Sequence, residues 1–286
     1  MKSNRIFLAL ILGVGILFRF WELSVQPVWF YDEAVNLELS SNLLGGETRL
    51  FALTYPFFPH PPLFHAFLIP LTYFFGKTIL AVRLLSATLG VATIVLTYKI
   101  GKILGGQRTG LIAAAVFAVT PLIILFNRGG FAHNQVMFLI ALSLYLTLKL
   151  VNSNNESSKK KISFLLGAAT TLAVLTEYYA LSLFFICGLA LFIYERRHLS
   201  IWFAAALIPS LAAISLLFFR MPEAFKHDLF WALSYNQGEP FILLVSVVFS
   251  LGALFYLVLR KEIKHLFDFF GEKVVLIFLL IHLGLL

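Results

Sequence analysis

The chain has 286 residues, of which 60% are hydrophobic and 13% charged, and its mean hydropathy is +0.92. A soluble domain fills its core with far less apolar material, so water is excluded as the main solvent and a polytopic integral membrane protein is expected. The net charge of +8 does not mark a nucleic-acid binder, because the Lys and Arg residues fall in short clusters between apolar runs.

A helix needs about 20 apolar residues to cross a bilayer core. By that measure the predicted spans are Ile6 to Trp21, Ile79 to Tyr98, Thr109 to Phe126, Asn134 to Val151, Ile162 to Thr176, Tyr179 to Tyr194, Ile201 to Phe219, Phe241 to Leu259 and Val274 onward. The first span is expected to stay uncleaved, since no small-residue cleavage site follows it. Pro62 to Phe75 is apolar but short and carries Pro70, which predicts an interfacial or re-entrant helix. Asn152 to Lys161 reads as a polar cytosolic linker, and Thr176 to Tyr178 as the break in a run too long for one helix. Cys187, the single cysteine, lies in an apolar run and offers no disulfide or thiolate metal site. Residues 1–286 are therefore expected to form an all-α bundle of about nine spans, the transmembrane module of a longer protein that continues past Leu286.

Lys and Arg in short loops stay on the cytoplasmic side. With a cytoplasmic N-terminus, the basic loops at Lys99 to Arg108, Lys159 to Lys161, Arg196 to Arg197 and Arg260 to Lys264 all fall inside, as expected in a cell membrane. The loops left outside are Glu22 to Lys77, the turn from Arg128 to His133, the turn at Glu177, and Arg220 to Glu239. Any chemistry is expected there.

In the first outer loop, Trp29-Phe30-Tyr31-Asp32-Glu33-Ala34 opens a helical pattern that runs to Leu44 and stops at Gly45-Gly46. Asp32 then sits near a helix N-terminus, where it serves either as a first-turn acid favoured by the helix dipole or as a catalytic carboxylate. Adjacent residues on a helix point in different directions, so Asp32 and Glu33 need not share a role. Further on, the prolines of Phe58-Pro59-His60-Pro61-Pro62-Leu63 hold His60 on an extended segment, either as an exposed turn residue or as an anion or metal contact. Arg83 lies near the outer end of the second span, where it either snorkels or serves a site. Arg128, His133 and Asn134 occupy the next outer turn, and Lys226, His227 and Asp228 the last.

These features in this order resemble the GT-C glycosyltransferases: Asp32-Glu33, then His60-Pro61-Pro62-Leu63, Gly76, and Arg83-Leu84-Leu85-Ser86 opening a span. The resemblance is closest to the branch holding protein O-mannosyltransferases, the aminoarabinose transferase of lipid A and Rgt-like enzymes. Leu104-Gly105-Gly106-Gln107-Arg108, Thr120-Pro121 and the Arg128 turn continue it, so that it covers Ile6 to Glu177. The resemblance implies a sugar donor on a polyprenyl phosphate, transfer on the extracytoplasmic face, Asp32 as the catalytic carboxylate with Glu33 beside it, and Arg83 near the lipid phosphate. The chain departs from the family pattern with His133 and Asn134 where an acid is common, and with Glu177 where a Lys is common.

The residue types suit that reaction on chemical grounds. The leaving group is already an anion, so the acceptor hydroxyl needs a base and the departing phosphate needs cations. Asp32 can be the base; Arg83, Arg128, His60 and Lys226 can supply the positive charge, with His133, Asn134 and Glu177 lining the site. A divalent metal on Glu33, His227 or Asp228 is an option, but these residues are spread over two loops and do not define a site. The acceptor can be a protein, a lipid or a glycan. A transporter or flippase is the alternative reading, against which stand the absence of an internal repeat and the clustering of ionisable groups at the outer ends of the spans. A purely structural membrane subunit would explain the hydrophobicity but not these loop residues.

Overall fold

The computed structural model describes residues 2–46 and 63–220, which form nine α-helices and two short 3-10 turns, with no strand among them. His60, Lys226, His227, Asp228 and the last two expected spans lie outside the described residues.

Helix α1, Lys2–Phe20, leads into a loop with a cis Gln26–Pro27 bond. Helix α2, Tyr31–Leu44, follows with Phe30 as its N-cap and Gly45 as its C-cap, the boundaries the sequence pattern gives. Helix α3, Leu63–Phe75, has 13 residues with Pro70 inside it. Its rise of about 20 Å falls short of a bilayer core. The backbone N–H of Leu63 donates to Leu175 O at 3.1 Å, which fixes the start of α3 against the end of α7.

Helix α4, Ile79–Val119, has 41 residues but is not one rod. Gly105 (φ −145°, ψ 16°) and Gly106 (φ 84°, ψ −176°) break it at the expected glycine turn. The two halves return so closely that a Cβ on Gly101 would lie 2.9 Å from Gly110 Cα, and one on Gly110 would lie 2.6 Å from Tyr98 O. Ile94, Ala114 and Ala118 form the buried seam between the halves, with Ile11 and Leu12 of α1 against it. The third span ends earlier than expected, at Val119. Thr120 is extended ahead of Pro121, as a residue before proline prefers, and a separate eight-residue helix, α5 (Pro121–Arg128), carries the chain onward.

Helices α6 (Ala132–Val151), α7 (Glu156–Val174), α8 (Ser182–Tyr194) and α9 (Leu199–Arg220) make the second half of the bundle. Leu166, Ala173, Leu183, Cys187 and Trp202 belong to its main apolar core. The expected linker at Asn152 to Lys161 is largely helix. Asn155 accepts from Ser158 N at 3.1 Å as an N-cap, Glu156 stands in the first turn, and Lys159 bonds Glu195, so α7 starts inside the polar stretch. The break at Thr176 to Tyr178 is present: α7 ends at Val174 and a 3-10 turn, Tyr178–Leu181, leads into α8.

Among the described residues, three helices are long and apolar enough to cross a membrane: Ile79–Val119, Ala132–Val151 and Arg196–Leu216. Contacts sort the connections to two ends of the bundle. Lys159 with Glu195, and His198 with Glu156 and Glu195, join the basic connections at one end. The Asp32, Arg83, Arg128 and Glu177 segments meet at the other.

Candidate active site

At that second end the first turn of α2 is held from three sides. Glu33 is 1% exposed and its carboxylate receives four donors. Arg83 Nε donates to Oε1 at 2.8 Å and Arg83 Nη2 to Oε2 at 2.9 Å, a two-pronged pair. Gly130 N donates to Oε1 at 2.8 Å, and Phe30 N to Oε2 at 2.9 Å. The last bond is half of a capping box, since the side chain of Phe30 has no acceptor to complete it. With its lone pairs filled, Glu33 has no oxygen left for a metal ion. The expected metal set of Glu33, His227 and Asp228 therefore loses its one described member, and no group of three potential ligands occurs among the described residues.

Arg83, fully buried, also donates to Leu23 O at 3.0 Å and Pro27 O at 2.9 Å. It does not snorkel, and it faces the inside of the loop rather than an open cavity. Arg128 is half-buried and donates to Phe18 O and Trp21 O at 2.7 Å and to Gln26 O at 2.9 Å. Burial lowers its pKa from the ordinary arginine value, and the neighbouring charge of Arg83 adds to that effect. Both arginines thus brace the loop between α1 and α2 in place of the open phosphate contact expected of them.

Asp32 is different. It is exposed in the first turn of α2, with no hydrogen bond or ion pair to any described residue. The helix N-terminus favours its charge, and its backbone is fixed by the bonds of Glu33 next to it. Arg83 and Gly130 of the Arg128 turn both reach the first turn of α2, which carries Asp32, through the side chain of Glu33.

Sequence reasoning missed several residues here. Asn36 is buried; its Nδ2 donates to Gly130 O at 2.9 Å, and its Oδ1 lies 2.9 Å from Nε2 of His65, itself fully buried in α3. Glu33, Asn36 and Ser40 form a buried polar stripe at helical spacing, a pattern visible in the sequence. Arg19, also fully buried, donates to Asn127 Oδ1 at 2.9 Å and to Ala118 O at 3.0 Å. Asn127 Nδ2 in turn donates to Asn134 Oδ1 at 2.8 Å, and Asn134 Nδ2 to Phe126 O and Gly129 O. Asn134 is therefore a buried brace of the turn. His133 is exposed and stacks on Tyr179 with ring centroids 6.2 Å apart, while Glu177 is buried at the N-cap of the adjacent 3-10 turn.

Gly130 is the hinge of this assembly, because it donates to Glu33 and accepts from Asn36. A Cβ there would lie 2.6 Å from Val82 Cγ1. Gly130→Ala is expected to lower stability by about 1–3 kcal/mol through overpacking against a stiff β-branched side chain. Thermal unfolding in detergent would show it, with Gly13→Ala as the control, since a Cβ at Gly13 meets nothing within 4 Å.

Residues 59–222, more than half of the chain, match the family model described as dolichyl-phosphate-mannose-protein mannosyltransferase. An uncharacterized protein of Aquifex aeolicus is 30% identical over 184 residues, covering 60% of this chain and 34% of that protein. The structure of the S. cerevisiae protein O-mannosyltransferase Pmt1–Pmt2 complex bound to the sugar donor is similar in fold. It matches with a TM-score of 0.61 and 18% identity, over 78% of this chain and 34% of that one. The chain thus spans about a third of the length of the relatives it matches.

Proposed function

Because the chain belongs to the dolichyl-phosphate-mannose-protein mannosyltransferase family, we propose that it acts in transferring a sugar from a polyprenyl-phosphate donor to an acceptor on the extracytoplasmic face. The observation that carries the reading is Asp32: an exposed carboxylate without a partner among the described residues, on a helix turn that a buried ion pair fixes in place. In the proposed step the acceptor oxygen attacks the anomeric carbon while the bond from that carbon to the phosphate oxygen breaks. The acceptor proton passes to Asp32, and the lipid phosphate leaves as an anion. Glu33, Arg83 and Gly130 position Asp32. Lys226 and His60 are proposed for the phosphate, and His133 with Glu177 for the wall of the site.

Membranes containing the protein, supplied with radiolabelled polyprenyl-phosphate sugars, test this reading. Label should move from the lipid to an acceptor fraction, and Asp32→Asn should stop it. Movement of intact donor between leaflets without transfer would overturn the reading in favour of a transporter.

The proposed orientation, in a cell membrane with a cytoplasmic N-terminus, follows from the positive-inside rule. Cys187 is buried, so in a Cys187→Ala background a cysteine at the exposed Leu44 reports its side of the membrane alone. Leu44→Cys is expected to react with an impermeant maleimide on intact cells. Reaction only after the membrane is opened would invert the topology.

A further inference from the structure

The loop joining α1 to α2 has an unusual construction for a connection at the end of a bundle. Its side chains at Trp21, Val25, Val28, Trp29 and Phe30 are exposed, with Val28 at 79% and Trp29 at 60%. Its backbone polar groups turn the other way. Arg83 takes the carbonyls of Leu23 and Pro27, and Arg128 those of Trp21 and Gln26. Glu22 O accepts from Val25 N and Gln26 N, and Phe30 O from Glu33 N. Six of the ten carbonyls from residue 21 to 30 therefore have protein donors: those of Trp21, Glu22, Leu23, Gln26, Pro27 and Phe30.

A loop bathed in water has no need of two arginines for its carbonyls, and exposed Trp and Val side chains would be unfavourable there. At a membrane interface the requirement shifts, because an unsatisfied carbonyl becomes more costly as water grows scarce toward the hydrocarbon. The exposed surface also continues into apolar faces of the spanning bundle. Ile16, Leu17 and Phe18 of α1 and Leu122, Leu125 and Phe126 of α5 are exposed, and Phe126, Phe131 and Phe30 run from α5 to the loop with centroids 6.1 and 5.4 Å apart. Glu22, Ser24 and Gln26 are exposed among the apolar side chains, so the composition is that of the headgroup zone, where Trp and polar groups coexist, rather than of the hydrocarbon centre.

We infer that the segment from Trp21 to Phe30 is a membrane-interface anchor, seated in the headgroup zone of the leaflet on the site's side. The partner is the lipid surface itself. Arg83 and Arg128 then gain a specific role, since by capturing the loop's carbonyls they let an irregular segment lie at the edge of the hydrocarbon. Asp32, two residues on, is thereby placed at the depth of lipid phosphates. The inference depends on the chain being a membrane protein and stands whether or not the transfer reaction proposed above is correct.

Site-directed spin labels test it. In a Cys187→Ala background, Trp21→Cys, Val28→Cys and Trp29→Cys are each labelled and reconstituted in phosphatidylcholine nanodiscs. Collision rates with oxygen, which concentrates in lipid, and with a water-soluble nickel chelate are then compared. Leu10→Cys on α1 serves as the lipid reference, and Ser157→Cys, exposed at the opposite end, as the water reference. The oxygen-to-nickel ratio at positions 28 and 29 should exceed that at 157 and approach that at 10. A ratio equal to that at 157 at all three sites would put the loop in water, and low access to both reagents would mean that protein covers it. Either result overturns the anchor. Because all three positions are exposed, a poorly folding variant at one leaves two readings.

Discussion

Replacing Asp32 by Asn is expected to reduce sugar transfer by a factor of roughly 10²–10⁴, the usual contribution of a positioned general base. The protein should otherwise stay intact. Asp32 has no partner among the described residues, so the substitution removes only its favourable interaction with the α2 dipole, about 0.3–1 kcal/mol. Turnover at saturating donor, measured beside a melting curve, separates the two readings of this residue. Full activity with a lowered melting temperature would return Asp32 to the role of a first-turn acid. Lost activity with no more than the small melting shift that the dipole interaction accounts for makes it the base.

The second large effect is expected at the Glu33–Arg83 pair and has the opposite signature. Both side chains are buried, with Arg83 Nε 2.8 Å from Glu33 Oε1. Removing one partner leaves the other as an uncompensated buried charge, so Glu33→Ala and Arg83→Ala should each destabilise the protein by about 3–5 kcal/mol. Arg83→Lys keeps the charge but loses the planar fork that reaches Glu33, Leu23 O and Pro27 O together, and should also destabilise. The pair Glu33→Leu with Arg83→Met should be less damaging than the sum of its single substitutions, because no buried charge remains. It will not be harmless, since Gly130 N and Phe30 N would lose their acceptors. Strict additivity of the two losses would show that these side chains do not meet. Turnover should fall in each single variant alongside stability, because in the proposed reaction these residues hold Asp32 in place.

The two experiments divide an adjacent pair of acids that look alike in sequence. About 100° of helix rotation separates neighbouring residues, which puts Glu33 inside with Asn36 and Ser40 and leaves Asp32 outside. One carboxylate holds the architecture, and the other has no partner among the described residues.

The sequence alone determined that the chain lives in a membrane and that it is helical. It also determined where the helices break at Gly45, at Gly105-Gly106 and near Glu177, though not the break at Thr120-Pro121, which the expected third span runs through. These are local matters: apolar run length and glycine at positive φ are set by a residue and its near neighbours. The sequence also singled out Asp32, through its place at the start of a helical pattern in an outer loop. The tertiary structure alone decided what Arg83, Arg128 and Glu33 touch. The Arg83 contacts span 50 residues to Glu33 and 60 to Leu23, and Arg128 reaches back 110 residues to Phe18. No local pattern encodes such pairings; they arise because buried charges and loop carbonyls must find partners wherever the packing of the helices brings them together. That requirement turned two arginines expected at a phosphate into the braces of a loop, and brought Asn36, His65 and Gly130 into the same network.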